Sequence, residues 1–216
     1  MACDGDRQHN FNSERIFNLF SSCRGERNII FIKHYIDAYG ELCKPFRLFG
    51  RLFNFVVSDV EAKIAILRDF CNGEHSEKYL TVQSMLLFEV FTDLIDTGKR
   101  PSGTYTFLRL HRAMEFMAAV ILTLRDRGND ADFSSHVSKA YHTTISKYHT
   151  WVVRHAVHMA LCKLPTRQEL LQKMGVDDSE SGAQAMTKLV SELNAVSEVI
   201  DKLYAKYHLL DMPRKK

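Results

Sequence analysis

Two long segments of this 216-residue chain carry apolar side chains on nearly every side of a helix. In 48–70 and in 107–124, phenylalanine, leucine, isoleucine, valine and methionine leave little room for a polar face. A helix that is apolar on most sides must be buried between neighbours on both sides. The two segments therefore predict stacked helical layers with these helices in the middle, rather than a simple four-helix bundle.

The rest of the chain also has the residue spacing of helices. Only four prolines and ten glycines interrupt it, and strand-like alternation is essentially absent. We predict an all-α fold of about eight helices, at 12–23, 30–43, 46–71, 76–97, 103–127, 131–161, 167–174 and 180–207. Connections of about eight residues or fewer are too short to separate domains. We therefore expect one domain over 11–213, a disordered segment 1–10 before it and a basic tail 214–216 after it.

Bulk properties argue against several classes of protein. A net charge of +3 gives no case for nucleic-acid binding. No run of about 18 apolar residues could span a bilayer, and the polar N-terminus lacks the apolar stretch of a signal peptide. The five cysteines are odd in number and contain no CxxC pair, which disfavours both a disulfide framework and a zinc site. We expect a protein of the reducing cytosol without a metal.

Sequence patterns of catalysis are missing as well. The chain contains no GxSxG, no HExxH and no glycine-rich phosphate loop. His149 lies in a predicted helix, where a lone histidine is more often a satisfied core polar group than a ligand. The sequence therefore predicts a protein that is not an enzyme and needs no cofactor.

Polar and charged residues interrupt both of the predicted buried helices. Asp59 and Lys63 lie on an otherwise apolar stripe of the first, and Tyr105, Arg109 and Arg112 form a polar stripe on the second. Burying unpaired charges is costly, so these groups must pair, reach solvent or bind a ligand. From the residues alone two interpretations stay open. Either the charges form internal salt bridges, or the arginines bind a phosphate or carboxylate through their planar forks.

A series of motifs resembles those of the glycolipid transfer protein superfamily. The runs are 57–63, 108–113 and 148–154, followed by 164–167, 202–204 and 209–213. The likeness extends from about Phe11 to Pro213. It implies the fold of that family, a two-layer all-α sandwich that encloses lipid chains, and non-vesicular transfer of a sphingolipid between membranes.

The resemblance also implies roles for single residues. In that family an aspartate at the Asp59 position accepts hydrogen bonds from the sphingosine amide and hydroxyl. A histidine at the His149 position donates to the acyl-amide carbonyl. Together they satisfy the one donor and one acceptor of an amide as it leaves water.

Two positions separate the branches of the family. Glycolipid-binding members are similar to one another in carrying an asparagine at the position of Lys63 and a sugar-stacking tryptophan at that of Arg109. This chain has a cation at both positions instead, which resembles the branch that binds ceramide-1-phosphate. Cations suit a phosphate, because charge-assisted hydrogen bonds are about twice as strong as neutral ones. Arg112 matches a further basic position, whereas Tyr105 stands where that branch usually has another arginine. We expect ceramide-1-phosphate, or a related sphingolipid, as the ligand.

Three alternatives accompany this expectation. The protein could bind the same lipid as a sensor or adaptor that recruits a partner, or it could transfer a neutral glycosphingolipid. A helical scaffold with internal salt bridges and no lipid is the third.

The remaining predictions concern the lipid chains and the membrane. The N-terminal helix is expected to act as a gate, through Phe11, Ile16, Phe17 and Phe20. A monomer is expected to touch membranes transiently with Tyr39, Phe46 and 161–166, while Lys44, Arg47 and Arg51 meet anionic headgroups. Nine apolar residues are expected to line the pocket: Phe53, Val56, Leu67, Phe107, Met114, Phe116, Met117, Val153 and Val157.

Overall fold

The structure is a computed structural model that describes residues 11–49, 51–95, 101–126 and 132–212. Nine α-helices fall within these residues, so the all-α prediction is confirmed. They are α1 (Ser13–Cys23), α2 (Ile32–Cys43), α3 (Arg51–Asn72), α4 (Val82–Phe91), α5 (Gly103–Arg125), α6 (Phe133–Thr143), α7 (Trp151–Leu161), α8 (Arg167–Met174) and α9 (Glu180–Lys206). The predicted disordered segment 1–10 and tail 214–216 lie outside the described residues.

Local sequence signals place the helix ends. Several helices begin after a residue whose side-chain oxygen accepts a hydrogen bond from the backbone three positions on, which satisfies a backbone donor that the helix leaves unpaired. Gly175 ends α8 in the left-handed conformation, with φ 65°, that glycine adopts without steric penalty. The capping residues are Asn12, Thr81, Ser102, Thr150, Thr166 and Ser179.

Helices α3 and α5 occupy the middle of a two-layer helical sandwich, as their apolar composition predicts. Helix α3 packs against α2, α5 and α7, while α5 also packs against α4, α6 and α9. None of the described helices is both long and apolar enough to cross a membrane.

A buried carboxylate holds the start of α5 in place. Glu89 is 1% exposed and accepts hydrogen bonds from the backbone N–H groups of Gly103 and Thr104, each at 2.8 Å. It also accepts from the Tyr79 hydroxyl at 2.8 Å. A negative charge at a helix N-terminus is favourable because the first N–H groups of the helix have no partner within it. This contact fixes the helix that carries Tyr105 and Arg109.

Three of the predicted helices differ from the structure. Helix α3 begins at Arg51, after a 3-10 turn over Lys44–Phe49, and α4 begins at Val82, after a 3-10 turn over Ser76–Tyr79. The predicted helix 131–161 is two helices, α6 and α7, separated by a 3-10 turn over Ser146–Tyr148. The hydroxyl of Thr144 donates to the carbonyl of Ala140 at 2.7 Å where α6 ends, and Thr150 caps the start of α7. Hydroxyl side chains that bond to nearby backbone compete with helix continuation.

Candidate functional site

One cavity of about 140 Å³ lies between α3, α5, α6 and α7. All six polar residues that the sequence indicates line its wall, although they come from three separate parts of the chain. Most of the remaining lining is apolar. The six polar residues are Asp59, Lys63, Tyr105, Arg109, Arg112 and His149.

Two cations converge on a single carboxylate in this wall. Lys63 Nζ forms an ion pair with Asp59 Oδ2 and donates to the main-chain oxygen of Asp59 at 3.1 Å. The guanidinium of Arg109 lies 3.9 Å from Asp59 Oδ1. Burial lowers the pKa of Lys63, with a further lowering by Arg109, while Asp59 acts in the opposite direction. Asp59 therefore provides one negative charge against two positive ones.

Arg112 is held by neutral groups. One of its terminal nitrogens donates to the main-chain oxygen of Leu210, and its guanidinium carbon lies 4.0 Å from the ring centroid of Tyr148. Burial lowers the pKa of Arg112, and Tyr148, Tyr105 and Asp211 act to raise it. Among the described residues no carboxylate forms an ion pair with Arg112, although Asp211 is near enough to act on its pKa. Its charge adds to the positive potential of the wall.

Tyr105 brings an aromatic ring rather than a charge to the site. Its side chain is buried, and the Arg109 guanidinium lies 5.9 Å from its ring centroid. Its backbone N–H donates to the Ser102 side chain at 3.1 Å, which ties it to the capped start of α5. A tyrosine hydroxyl can donate a hydrogen bond to an anion.

His149 is oriented by a second tyrosine. The hydroxyl of Tyr141 lies 2.9 Å from His149 Nδ1, and the two rings lie 5.6 Å apart. When Tyr141 donates this hydrogen bond, the neutral imidazole carries its proton on Nε2. That tautomer can donate to a carbonyl, as the role implied for this histidine requires.

The apolar residues expected to line the pocket divide into two groups. Phe53, Val56, Phe116, Met117, Val153 and Val157 line the cavity. Leu67, Phe107 and Met114 are not among the described lining residues and are buried in the helical core instead. Of the predicted gate, Ile16 and Phe20 are likewise buried in the core, and the gating role remains a prediction.

Several features of the site were missed in the sequence. Tyr141 and Tyr148 support His149 and Arg112, but a tyrosine eight residues from a histidine on one continuous helix gives no signal of contact. Phe46 also lines the cavity. The sequence predicts a membrane contact for Phe46, which is wrong because this residue is only 4% exposed.

The membrane-facing residues are corrected by the structure. Tyr39 is fully buried, and its hydroxyl donates to the main-chain oxygen of Leu110 at 2.8 Å. Because Tyr39 and Phe46 are both buried, neither offers apolar surface to a membrane in this conformation. Among the described residues, exposed apolar surface next to the cavity lies on α7, where Trp151 and Val152 are 71% and 68% exposed.

The three basic residues that are predicted to meet anionic lipid headgroups differ in their surroundings. Lys44 is exposed and pairs with Glu41 at 2.5 Å, and Arg47 pairs with Glu61. The side chain of Arg51 lies outside the described residues. Within 161–166, Cys162 and Lys163 are exposed, whereas Leu161 is buried.

A helical sandwich with a cationic site over an apolar cavity defines a class of protein. Residues 30–176 match the family described as Glycolipid transfer protein (GLTP). The chain belongs to this family.

Individual relatives narrow the comparison. The chain is 33% identical to the ceramide-1-phosphate transfer protein of Mus musculus over 214 residues, which cover 96% of this chain and 99% of that protein. It is 34% identical to the Danio rerio protein of the same name over 207 residues, which cover 94% and 98%. The crystal structure of human ceramide-1-phosphate transfer protein in complex with 12:0 ceramide-1-phosphate matches with a TM-score of 0.86 and 33% identity, over 94% of this chain and 100% of that one.

Proposed function

We propose that this protein carries ceramide-1-phosphate between membranes. The observation that supports this most directly is the composition of the cavity wall, whose described lining holds three cations, Lys63, Arg109 and Arg112, and one carboxylate, Asp59. Three positive charges and one negative charge leave two positive charges for a ligand. A phosphate monoester carries a charge of about −1.5 to −2 at neutral pH. A neutral sugar in the same place would leave both charges without a counter-ion.

The ceramide amide has partners next to the phosphate site. Asp59 accepts hydrogen bonds, and His149 donates one from Nε2 when Tyr141 donates to its Nδ1. An amide that enters an apolar pocket needs both, because an unsatisfied polar group costs free energy when it leaves water. The same wall thus offers a partner to each polar part of the proposed ligand.

The lipid chains require the cavity to enlarge. A volume of about 140 Å³ is close to that of an engineered cavity that holds one benzene molecule. Two long chains occupy far more space, so the walls must separate as the chains enter. Phe53, Phe116 and Val157 are among the side chains that would then surround the chains.

Contact with the membrane fits the exposed face of α7. Trp151, Val152 and Met159 are exposed on this helix, while Val153 and Val157 of the same helix line the cavity. A helix that inserts Trp151 into the bilayer interface brings the cavity wall to the membrane surface. Tryptophan favours the level of the lipid headgroups because its ring is amphipathic. We place this activity in the cytosol, with a monomeric carrier that contacts membranes only transiently.

Vesicle transfer of fluorescent lipids tests the proposal. Donor vesicles carry ceramide-1-phosphate, ceramide or galactosylceramide with identical labelled acyl chains, and the rate without protein is subtracted. We expect transfer of ceramide-1-phosphate to exceed that of both uncharged lipids, and mass spectrometry to find this lipid bound. Equal or faster transfer of galactosylceramide would contradict the headgroup assignment.

A further inference from the structure

The three cations of the cavity wall are held in two different ways. Lys63 and Arg109 share the carboxylate of Asp59, which cancels part of their charge. Arg112 is held by the main-chain oxygen of Leu210 and the ring of Tyr148, and both of these groups are uncharged. Arg112 is therefore fixed in direction without an ion pair to a described carboxylate.

The oxygen that holds Arg112 belongs to a segment after the last helix. We call residues 207–212 the C-terminal strap. The backbone N–H of Leu209 donates to Tyr204 at 3.0 Å, and that of Met212 donates to Leu209 at 3.4 Å. The side chains of Leu209, Leu210 and Met212 are half-buried against the core. Asp211 lies on the strap as well, where its charge acts to raise the pKa of Arg112.

A left-handed residue directs the strap. His208 has φ 57°, and its backbone N–H donates to the carbonyl of Ala205 at 3.0 Å. Its side chain is exposed, so the position contributes little packing. Residues other than glycine rarely adopt this conformation because Cβ approaches the following carbonyl oxygen. The chain reverses direction at His208, and the Leu210 carbonyl thereby comes within hydrogen-bond distance of Arg112.

We infer that the C-terminal strap positions Arg112 for the lipid phosphate, an inference that rests on the proposed function. A free arginine side chain loses rotamer freedom when it binds a ligand, and this loss weakens binding. The strap and Tyr148 impose that loss during folding instead. A main-chain carbonyl suits the task, since a carboxylate at the same point would neutralise the cation that the phosphate needs.

Two substitutions at position 208 test the strap without changing any residue that lines the cavity. Proline cannot adopt φ 57°, so His208→Pro should displace the strap, whereas glycine adopts this angle freely, so His208→Gly should preserve it. The measurement is the ratio of ceramide-1-phosphate transfer to ceramide transfer. We expect His208→Pro to lower this ratio about fivefold to tenfold and His208→Gly to leave it unchanged.

The same two substitutions are then made in an Arg112→Met background, as a double-mutant cycle. If the strap acts through Arg112, His208→Pro has no further effect on the ratio there. An unchanged ratio in His208→Pro with the native Arg112, or an equal fall in both backgrounds, would overturn the inference. A wild-type protein that shows no preference for ceramide-1-phosphate over ceramide would instead refute the proposed function.

Nuclear magnetic resonance gives a second measurement, made on the protein with its native strap and native Arg112. The terminal Nη–H signal of Arg112, assigned by its loss in Arg112→Met, reports how firmly the strap holds the guanidinium, because a terminal nitrogen donates to the Leu210 carbonyl. We expect it to exchange with water more slowly than that of the exposed Arg154. Equal exchange rates for the two arginines would show that the strap does not fix Arg112.

Discussion

Replacing Lys63 with methionine separates a binding role from a structural one. The side chain of Lys63 is 8% exposed, and methionine has a similar length and fits apolar surroundings. If Lys63 binds the phosphate, its loss removes a charge-assisted hydrogen bond worth about 1.5–3 kcal/mol. At about 1.4 kcal/mol for each factor of ten, transfer of ceramide-1-phosphate should fall about 10- to 100-fold. Ceramide has no phosphate, so its transfer should change little.

The stability of the same variant should move in the opposite direction. Removing one partner of a buried ion pair is usually destabilising, because the other charge is left without compensation. Here the other partner, Asp59, is 51% exposed and still has Arg109 at 3.9 Å. Water and Arg109 can therefore stabilise it, while the desolvation cost of Lys63 disappears. We expect the free energy of unfolding to stay level or to rise by about 1 kcal/mol.

The assay pairs vesicle transfer of both lipids with urea unfolding followed by circular dichroism. Lys202→Met is the matched control, because Lys202 forms an exposed pair with Glu198 at the same four-residue spacing. It should change neither measurement appreciably. A Lys63→Met protein that keeps its lipid preference within twofold of wild type but loses stability would refute the reasoning. That result would mean that the Asp59 pair is an internal salt bridge only.

Three further predictions follow from described contacts. Trp151 is the single tryptophan of the chain, so the tryptophan fluorescence should shift to the blue when the protein binds anionic vesicles. Trp151→Ser should slow transfer severalfold. Phe91 is a similarly exposed aromatic residue on α4, and Phe91→Ser should not slow transfer. Glu89→Gln should lower the free energy of unfolding by about 2–3 kcal/mol, or the melting temperature by roughly 5–10 °C, whereas the exposed Glu115→Gln should not. Because burial lowers the pKa of Lys63, the folded state binds this proton less tightly than the unfolded chain. Its contribution to the free energy of unfolding should therefore rise with pH between the folded-state and the unfolded-state pKa of Lys63, seen as a difference between wild type and Lys63→Met in urea titrations. An unshifted Trp151 spectrum, an unchanged Glu89→Gln melting curve or identical pH slopes would contradict the respective prediction.

The central part of the site could be predicted because its signal is local. Asp59 and Lys63, like Arg109 and Arg112, are three or four residues apart on helices that are otherwise apolar. That spacing puts each pair on one face. What the spacing could not decide was whether the two helices turn these faces toward each other. The contact between Asp59 and Arg109 is a property of how α3 packs on α5.

The support of His149 could not be predicted, because it depends on a helix break. On one continuous helix, Tyr141 and His149 would lie about 12 Å apart along the axis, at 1.5 Å per residue. Their side chains instead hydrogen-bond at 2.9 Å. Apolar residues at helical spacing continue across 131–161, so periodicity favours a single helix. The capping residue Thr150 is the available signal of the break.

The predicted membrane contacts of Tyr39 and Phe46 are wrong for a related reason. Tyr39 lies on an amphipathic helix, and a tyrosine suits both a membrane interface and a core position where its hydroxyl has a partner. Only the fold supplies the carbonyl of Leu110 that satisfies this hydroxyl. Trp151 gave no comparable hint, because exposure is decided by what packs against α7.

The small size of the cavity has a consequence for the protein after it has released its lipid. Apolar walls opened to accept about 25 methylene groups would forgo roughly 20 kcal/mol of burial, at about 0.8 kcal/mol for each group. A domain is stable by only about 5–15 kcal/mol, so a permanently hollow sleeve would cost more than folding provides. Delivery of cargo and collapse of the walls must then be a single event. The unloaded protein is therefore closed while it is in water, and it exposes no apolar cavity to which other proteins could bind.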